Sequence, residues 1–278
     1  VRVGNLDGRA VIITDDGAID IHGASDGSFG PTPRHIYDDW SAFREWANSA
    51  ALASATAFSA SDLDSPCPEP RQVFGIGLNY RKHAIESGMD IPTTPMTFTK
   101  FPSCITGPHA SVRLPSESVD WEAEMVVVIG TRAENVSASN AWSHVAGVTV
   151  GQDFSERVVQ MRPPAPQFSL GKSYPGFGAT GPWVTTVDAL DNRDGLPISC
   201  TINGETMQDA NTDDLIFSVS EIIEGLSSIV PLLPGDIIFT GTPSGVGMAR
   251  NPQRFLTPGD VVVTTLGSVG SITTTCTE

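Results

Sequence analysis

The 278-residue chain carries 27 glycines and 21 prolines without a repeat period, a hydrophobic content of 40% and a formal charge of −16. That length holds one large domain, or a small unit plus a larger one, and the turn-rich composition predicts short strands rather than long helices. The charge argues against nucleic acid or an anionic membrane as partner, and no apolar run long enough to span a membrane and no opening signal segment is read.

Residues 1–66 read as a small α/β unit. Residues 9–13 and 18–21, joined by Asp15-Asp16-Gly17, predict a hairpin. Residues 38–60 have helical spacing, with Trp40, Phe43, Trp46 and Ala50 on one side as core. The proline-rich run from Asp62 to Pro70 predicts a boundary, with a larger unit over 67–278. Nothing in the first unit points to chemistry.

Residues 73–88 predict a short strand, a tight glycine turn and a short helix ending at Gly88. Gly75 and Gly77 lack the third glycine of a dinucleotide fingerprint, and no βαβ unit follows. His83 and Glu86, three apart, are neighbours on a helix face. They are either a solvated surface pair or a base whose tautomer a carboxylate holds. Residues 92–107 read as turn-rich and carry Lys100, one of three lysines with Lys82 and Lys172.

The stretch from Val119 to Gly130 is the most informative. Its apolar second half predicts a buried strand. In its first half Asp120, Glu122 and Glu124 recur with period two, so a strand would present all three on one face. Like charges that close repel unless something neutralises them, and a hard divalent cation prefers carboxylate oxygens. A wet, acidic strand end is the alternative. Residues 145–150 predict a further strand leading to Asp153, which is either a ligand at a strand end or an N-cap.

Residues 162–182 read as irregular. Their Gly171-Lys172-Ser173 is not a phosphate loop, because Pro166 stands where that motif requires glycine. Lys172 is either exposed or a fixed positive charge near a carboxylate substrate. Further on, residues 198–202 and 205–208 flank Asn203-Gly204, a strong hairpin signal. Residues 214–228 are helical in pattern, and 233–247 predict a turn, a buried strand and a glycine-rich loop that lets backbone approach a ligand, with the Thr242 hydroxyl at hand. A turn then precedes a strand at 261–265. The cysteines (Cys67, Cys104, Cys200, Cys276) form no CxxC pair and suggest reduced thiols in a cytoplasmic protein.

In order along the chain, GLNYRKHAIESG (77–88), VDWEAEMVVVIG (119–130), GQDFSERVVQ (151–160), GKSYPGFGATGP (171–182), INGETMQ (202–208) and LLPGDIIFTGTPSGVG (232–247) resemble the fumarylacetoacetate hydrolase family. The resemblance covers roughly 72–265. It implies an α+β fold with a mixed β-roll, residues 1–66 being the small accessory domain of bacterial two-domain members, and a homodimer. It also implies Mg²⁺ or Mn²⁺ (Ca²⁺ in some crystals) held by Glu122, Glu124 and Asp153. Asp120 precedes the ligand pair and is not a usual ligand. His83 and Glu86 match the family's catalytic pair on a lid helix, and Lys172 its lysine. Arg157, Gln160 and Thr242 match positions that surround the metal or hold substrate oxygens. Family members commonly follow Lys-Ser with aromatic-Asp-Thr, where Tyr174-Pro175-Gly176 stands here; this departure bears on substrate identity.

The implied activity is metal-dependent hydrolysis of a carbon–carbon bond in a small acidic substrate, an acylpyruvate-like 2-oxoacid or 1,3-diketo acid, through a stabilised enolate in aromatic catabolism. Oxaloacetate-type decarboxylation and 2-hydroxydienedioate isomerisation are the alternatives within the family. A non-catalytic metal-binding homologue is the alternative of another class.

Overall fold

A computed structural model describes residues 1–49 and 55–278. The fold is α+β, built on two mixed sheets, with no closed barrel among the described residues. Along the larger sheet the strands run Gly17–Asp20, Arg9–Thr14, Arg2–Leu6, Gly178–Thr186, Val145–Asp153, Ala123–Ile129, Ile237–Phe239, Val73–Gly77 and Met96–Thr99. A five-stranded sheet lies against it, in the order Glu205–Asn211, Pro197–Ile202, Val261–Leu266, Gly270–Thr277 and His109–Arg113.

Strand Ala123–Ile129 is buried along its whole length. Both faces are covered, which explains its nearly unbroken apolar sequence. Met125, Val127 and Ile129 join the core between the sheets with Val148, Ile198 and Val262. Val126 and Val128 alternate into a second core with Tyr37, Trp40 and Phe43. Antiparallel pairing with Val145–Asp153 sets Ala123 opposite Gln152 and Glu124 opposite Gly151. The acidic start of one strand is thereby laid beside the acidic end of the other.

The expected N-terminal hairpin forms as Arg9–Thr14 and Gly17–Asp20, preceded by an unanticipated strand, Arg2–Leu6. That strand pairs antiparallel with Gly178–Thr186, and Val3, Ile12 and Ile36 share a core with Val126 and Phe239. Residues 1–66 therefore extend the larger sheet and its core, and the expected boundary at residue 66 interrupts neither. The helix expected over 38–60 is instead Pro33–Asp38 and Trp40–Ser49. Ala50 lies outside the described residues. By Thr56 the chain is extended, exchanging both backbone hydrogen bonds with Ala18 at 2.8 and 2.9 Å. The free edge of Gly17–Asp20 captures it, overriding local spacing.

Two stretches read as irregular contain strands. Met96–Thr99 pairs with Val73–Gly77 inside the turn-rich 92–107. Residues 178–182 open the nine-residue strand Gly178–Thr186, whose glycines and Pro182 hide it. Pro182 falls where the register shifts between Val148 and Val150 on the neighbouring strand, so its missing N–H costs no ladder bond. The helix expected over 214–228 starts later, at Val219, where Ser218 and Glu221 form a capping box. Among the described residues, no helix is long and apolar enough to cross a membrane.

Candidate metal centre

The period-two acidic segment is not one strand. Val119–Asp120 pairs with Ser155–Glu156, the chain leaves strand geometry at Trp121-Glu122, and Ala123–Ile129 begins the long strand. Glu122 and Glu124 still converge, and Asp153 joins them through the strand pairing and its N–H donated to the Glu122 carbonyl at 2.9 Å. Carboxylate oxygens of Glu122, Glu124 and Asp153 lie within 4.8 Å of one another, all buried. Asp120 is not in the cluster. Its carboxylate accepts from Arg157 Nε and Nη2 at 2.9 and 2.7 Å, and from the backbone of Gly247 at 2.7 Å. The single three-carboxylate face expected from spacing is thus two adjacent carboxylates plus one from 29 residues on, while Asp120 anchors an arginine.

Cationic side chains sit beside the cluster. Lys172 Nζ donates to Glu122 Oε2 at 2.6 Å, Asp153 Oδ2 at 2.7 Å and Ser155 Oγ at 2.8 Å. Arg157 Nη1 donates to Glu122 Oε1 at 2.7 Å and Gln160 Oε1 at 2.9 Å. Burial pushes the Glu122 carboxyl up, but Lys172 and Arg157 outweigh it and hold it down at about 2. Burial would strip the Lys172 proton, yet Asp153 and Glu122 raise its pKa above the ordinary lysine value. Glu124 is the exception: burial, then Asp153 and Glu122, push its pKa well up, and its only hydrogen bond among the described residues is from the Gly241 N–H at 2.7 Å. A group that its surroundings leave this short of positive charge, facing two more carboxylates, fits a hard divalent cation. Glu122, Glu124 and Asp153 are the residues that could hold it.

Lys172 reaches this point because two short helices cross closely. A Cβ on Gly171, in helix Phe168–Gly171, would lie 2.6 Å from Gln160 N and 2.8 Å from Glu156 O. Only glycine allows Arg157–Gln160 to lie that near, which presents Lys172 and Arg157 to the same carboxylate.

The glycine-rich loop after Ile237–Phe239 turns its amides to the protein's own carboxylates. Gly241 N–H meets Glu124, Gly247 N–H meets Asp120, and Gly245 N–H meets both oxygens of Glu86 at 3.0 Å. Gly245 has φ +105, and a Cβ there would lie 2.1 Å from Met207 O, so no larger residue fits. Glu86 Oε1 in turn lies 2.8 Å from His83 Nδ1 on helix Arg81–Glu86. Both side chains line a cavity of about 530 Å³ with Glu122, Glu124, Arg157, Gln160, Lys172 and Thr242. Every expected site residue except Asp153 lines that cavity, and Asp153 lies directly behind Lys172.

Three further side chains brace the site without having been assigned a role from sequence. Lys100 is fully buried, donates to Asp153 Oδ1 at 2.5 Å and also contacts the Lys172 carbonyl. Its rarity as one of three lysines was the available signal. Gln152 accepts from Glu122 N at 2.7 Å, and Gln208 accepts from Ala123 N at 2.9 Å while donating to Thr242 Oγ1 at 2.8 Å.

The architecture and site together define a candidate divalent-metal centre in an α+β enzyme scaffold. Residues 72–277 match the fumarylacetoacetate (FAA) hydrolase C-terminal domain, and the chain belongs to that family. The bovine (Bos taurus) protein "Oxaloacetate tautomerase FAHD2A, mitochondrial" is 43% identical over 210 residues, 75% of this chain and 67% of its own. A Mycobacterium smegmatis crystal structure, provisionally described as HpcE, is 52% identical with a TM-score of 0.96, covering 100% of this chain and 99% of that one. Maleylpyruvate hydrolase from Sphingobium sp. SYK-6, in complex with manganese(II) and pyruvate, is 26% identical with a TM-score of 0.79, covering 100% of this chain and 99% of that one. The manganese in that relative and the buried acidic triad here both point to a divalent metal.

Proposed function

We propose that this chain is a Mg²⁺- or Mn²⁺-dependent enzyme that hydrolyses a carbon–carbon bond in a small acylpyruvate-like acid. The observation that carries the reading is the His83–Glu86 pair lining one cavity with Glu122, Glu124 and Lys172. A bound cation supplies Lewis acidity that stabilises charge developing on adjacent substrate oxygens. Lys172 donates to both Glu122 and Asp153 and so holds the two carboxylates close together. Arg157 holds Gln160 by its Oε1, which leaves the Gln160 amide N–H groups for substrate oxygens, as the Thr242 hydroxyl hydrogen is left by its bond from Gln208.

With Glu86 accepting from His83 Nδ1, the free Nε2 takes a proton from water. Hydroxide adds to the distal carbonyl, the carbon–carbon bond breaks, and the departing enolate carbon recovers the proton from Nε2. Water is consumed and two acids are released.

Keto–enol tautomerisation of a 2-oxoacid is the second reading, favoured by the similarity to the bovine tautomerase. Nε2 then takes a proton from the carbon beside the ketone and delivers it to the ketone oxygen, with no water added. Incubation with acetylpyruvate or oxaloacetate plus Mg²⁺ separates the readings. Hydrolysis yields pyruvate and acetate. Tautomerisation changes enol absorbance without new products, and release of CO₂ marks decarboxylation. A homodimer is part of the same proposal, supported by exposed Val158 and Leu170 on two helices that pack together. Sedimentation at micromolar concentration giving a monomer would remove it.

A further inference from the structure

Resting on that reading of the site, we infer that the cavity selects a 2-oxoacid whose far end is uncharged and apolar, with Met161 and Met248 setting the preference. One group of lining residues is charged: Glu122, Glu124, Arg157 and Lys172, with His83 and Glu86. Much of the remaining lining is apolar, including Leu78, Phe168, Val246 and the methionines Met96, Met161 and Met248.

A second substrate carboxylate would need a cation, and the lining's Lys172 and Arg157 already face carboxylates of the protein itself. Lys172 Nζ donates to Glu122, Asp153 and Ser155, which uses its three hydrogens. Arg157 makes four hydrogen bonds, to Asp120, Glu122 and Gln160. His83 is held by Glu86 at Nδ1. A carboxylate set against the thioethers would lose its water without compensation. Methionine walls instead adapt to apolar tails of differing shape. Met161 and Met248 are 46% and 36% exposed, so a bound tail would cover surface that is now wet.

The test pairs 2-oxoglutarate with 5-methyl-2-oxohexanoate, in which an isopropyl group replaces the distal carboxylate at nearly the same size. Calorimetry on the Mn²⁺-loaded protein reads binding without requiring turnover. The expected result is at least about tenfold tighter binding of the branched acid, because the distal carboxylate is left unpaired. Met161→Arg and Met248→Arg, both at partly exposed positions that accept a charged end in solvent, should each narrow or reverse that ratio. Equal or tighter binding of 2-oxoglutarate by the wild type, or a ratio that neither arginine variant changes, would overturn the inference. Failure to cleave any acylpyruvate would overturn the hydrolase reading and leave the binding ratio intact; a lost ratio with cleavage intact would do the reverse.

Discussion

On the carboxylate side of the cavity, Lys172 and Arg157 make three and four side-chain hydrogen bonds, all to buried partners. On the other side, helix Arg81–Glu86 is six residues long, and Ile85 on it is 72% exposed. Its polar ties to the rest of the molecule include Glu86 to the Gly245 amide and the Lys82 N–H to Asp214 at 3.3 Å. Helices this short are not stable by themselves. The contrast teaches a division of labour. The carboxylate-side geometry is fixed by redundant buried contacts, whereas the helix bearing His83 and Glu86 rests on fewer polar contacts, of the kind that open locally. Leu78 at φ 53 and Gly88 at φ 64 bracket that helix and mark where its backbone turns.

The comparison breaks most visibly at the metal ligands. Chelation should abolish activity and Mg²⁺ or Mn²⁺ should restore it. Glu124→Gln and Asp153→Asn should each weaken Mn²⁺ binding by more than about 100-fold, beyond the loss typical of residues that only support a ligand. Calorimetry showing wild-type affinity in both variants would remove the metal assignment. Next in size, His83→Ala should lower kcat by about 10²–10⁴-fold, the usual contribution of a general base, with Mn²⁺ affinity unchanged. Loss of metal binding together with kcat in this variant would show that helix Arg81–Glu86 and the carboxylate side act as one unit.

Lys100→Met sharpens the carboxylate side. It removes a fully buried ion-pair partner of Asp153 and should cost about 3–5 kcal/mol of stability by denaturant titration of the metal-free protein. A change near zero would mean that Lys172 alone neutralises Asp153. Smallest is Glu86→Gln, which weakens the hold on His83 and on Gly245 but leaves both partners able to bond. A fall of about tenfold or less in kcat is expected, less than a base deletion costs, together with faster amide exchange over Arg81–Glu86 and an unchanged global stability. Unchanged exchange there would show that apolar contacts, not Glu86, hold the helix down.

Local pattern determined much of this protein. The apolar run 126–128 reads as a buried strand, Asn203-Gly204 gives a hairpin whose two turn residues have φ 51 and 83, and Gly88, at φ 64, follows the end of helix Arg81–Glu86. The motif order also carries His83, Glu86, Glu122, Glu124, Arg157, Gln160, Lys172 and Thr242, which line one cavity. What local pattern could not carry is pairing across long separations. Strand Gly178–Thr186 has glycines and a proline where propensity expects branched residues, and it exists because neighbours on both sides supply its hydrogen bonds. The same applies to residues 1–66, which read as a separate unit from local composition but share a sheet and a core with the rest. At the site, period two placed Asp120 with Glu122 and Glu124, but Arg157, 37 residues away, draws Asp120 off. Lys100, 53 residues from Asp153, shows nothing locally beyond its rarity. Side-chain spacing states which groups are available; which charges meet depends on backbone brought together from distant parts of the chain, where burial makes each unpaired charge costly and so selects the partner.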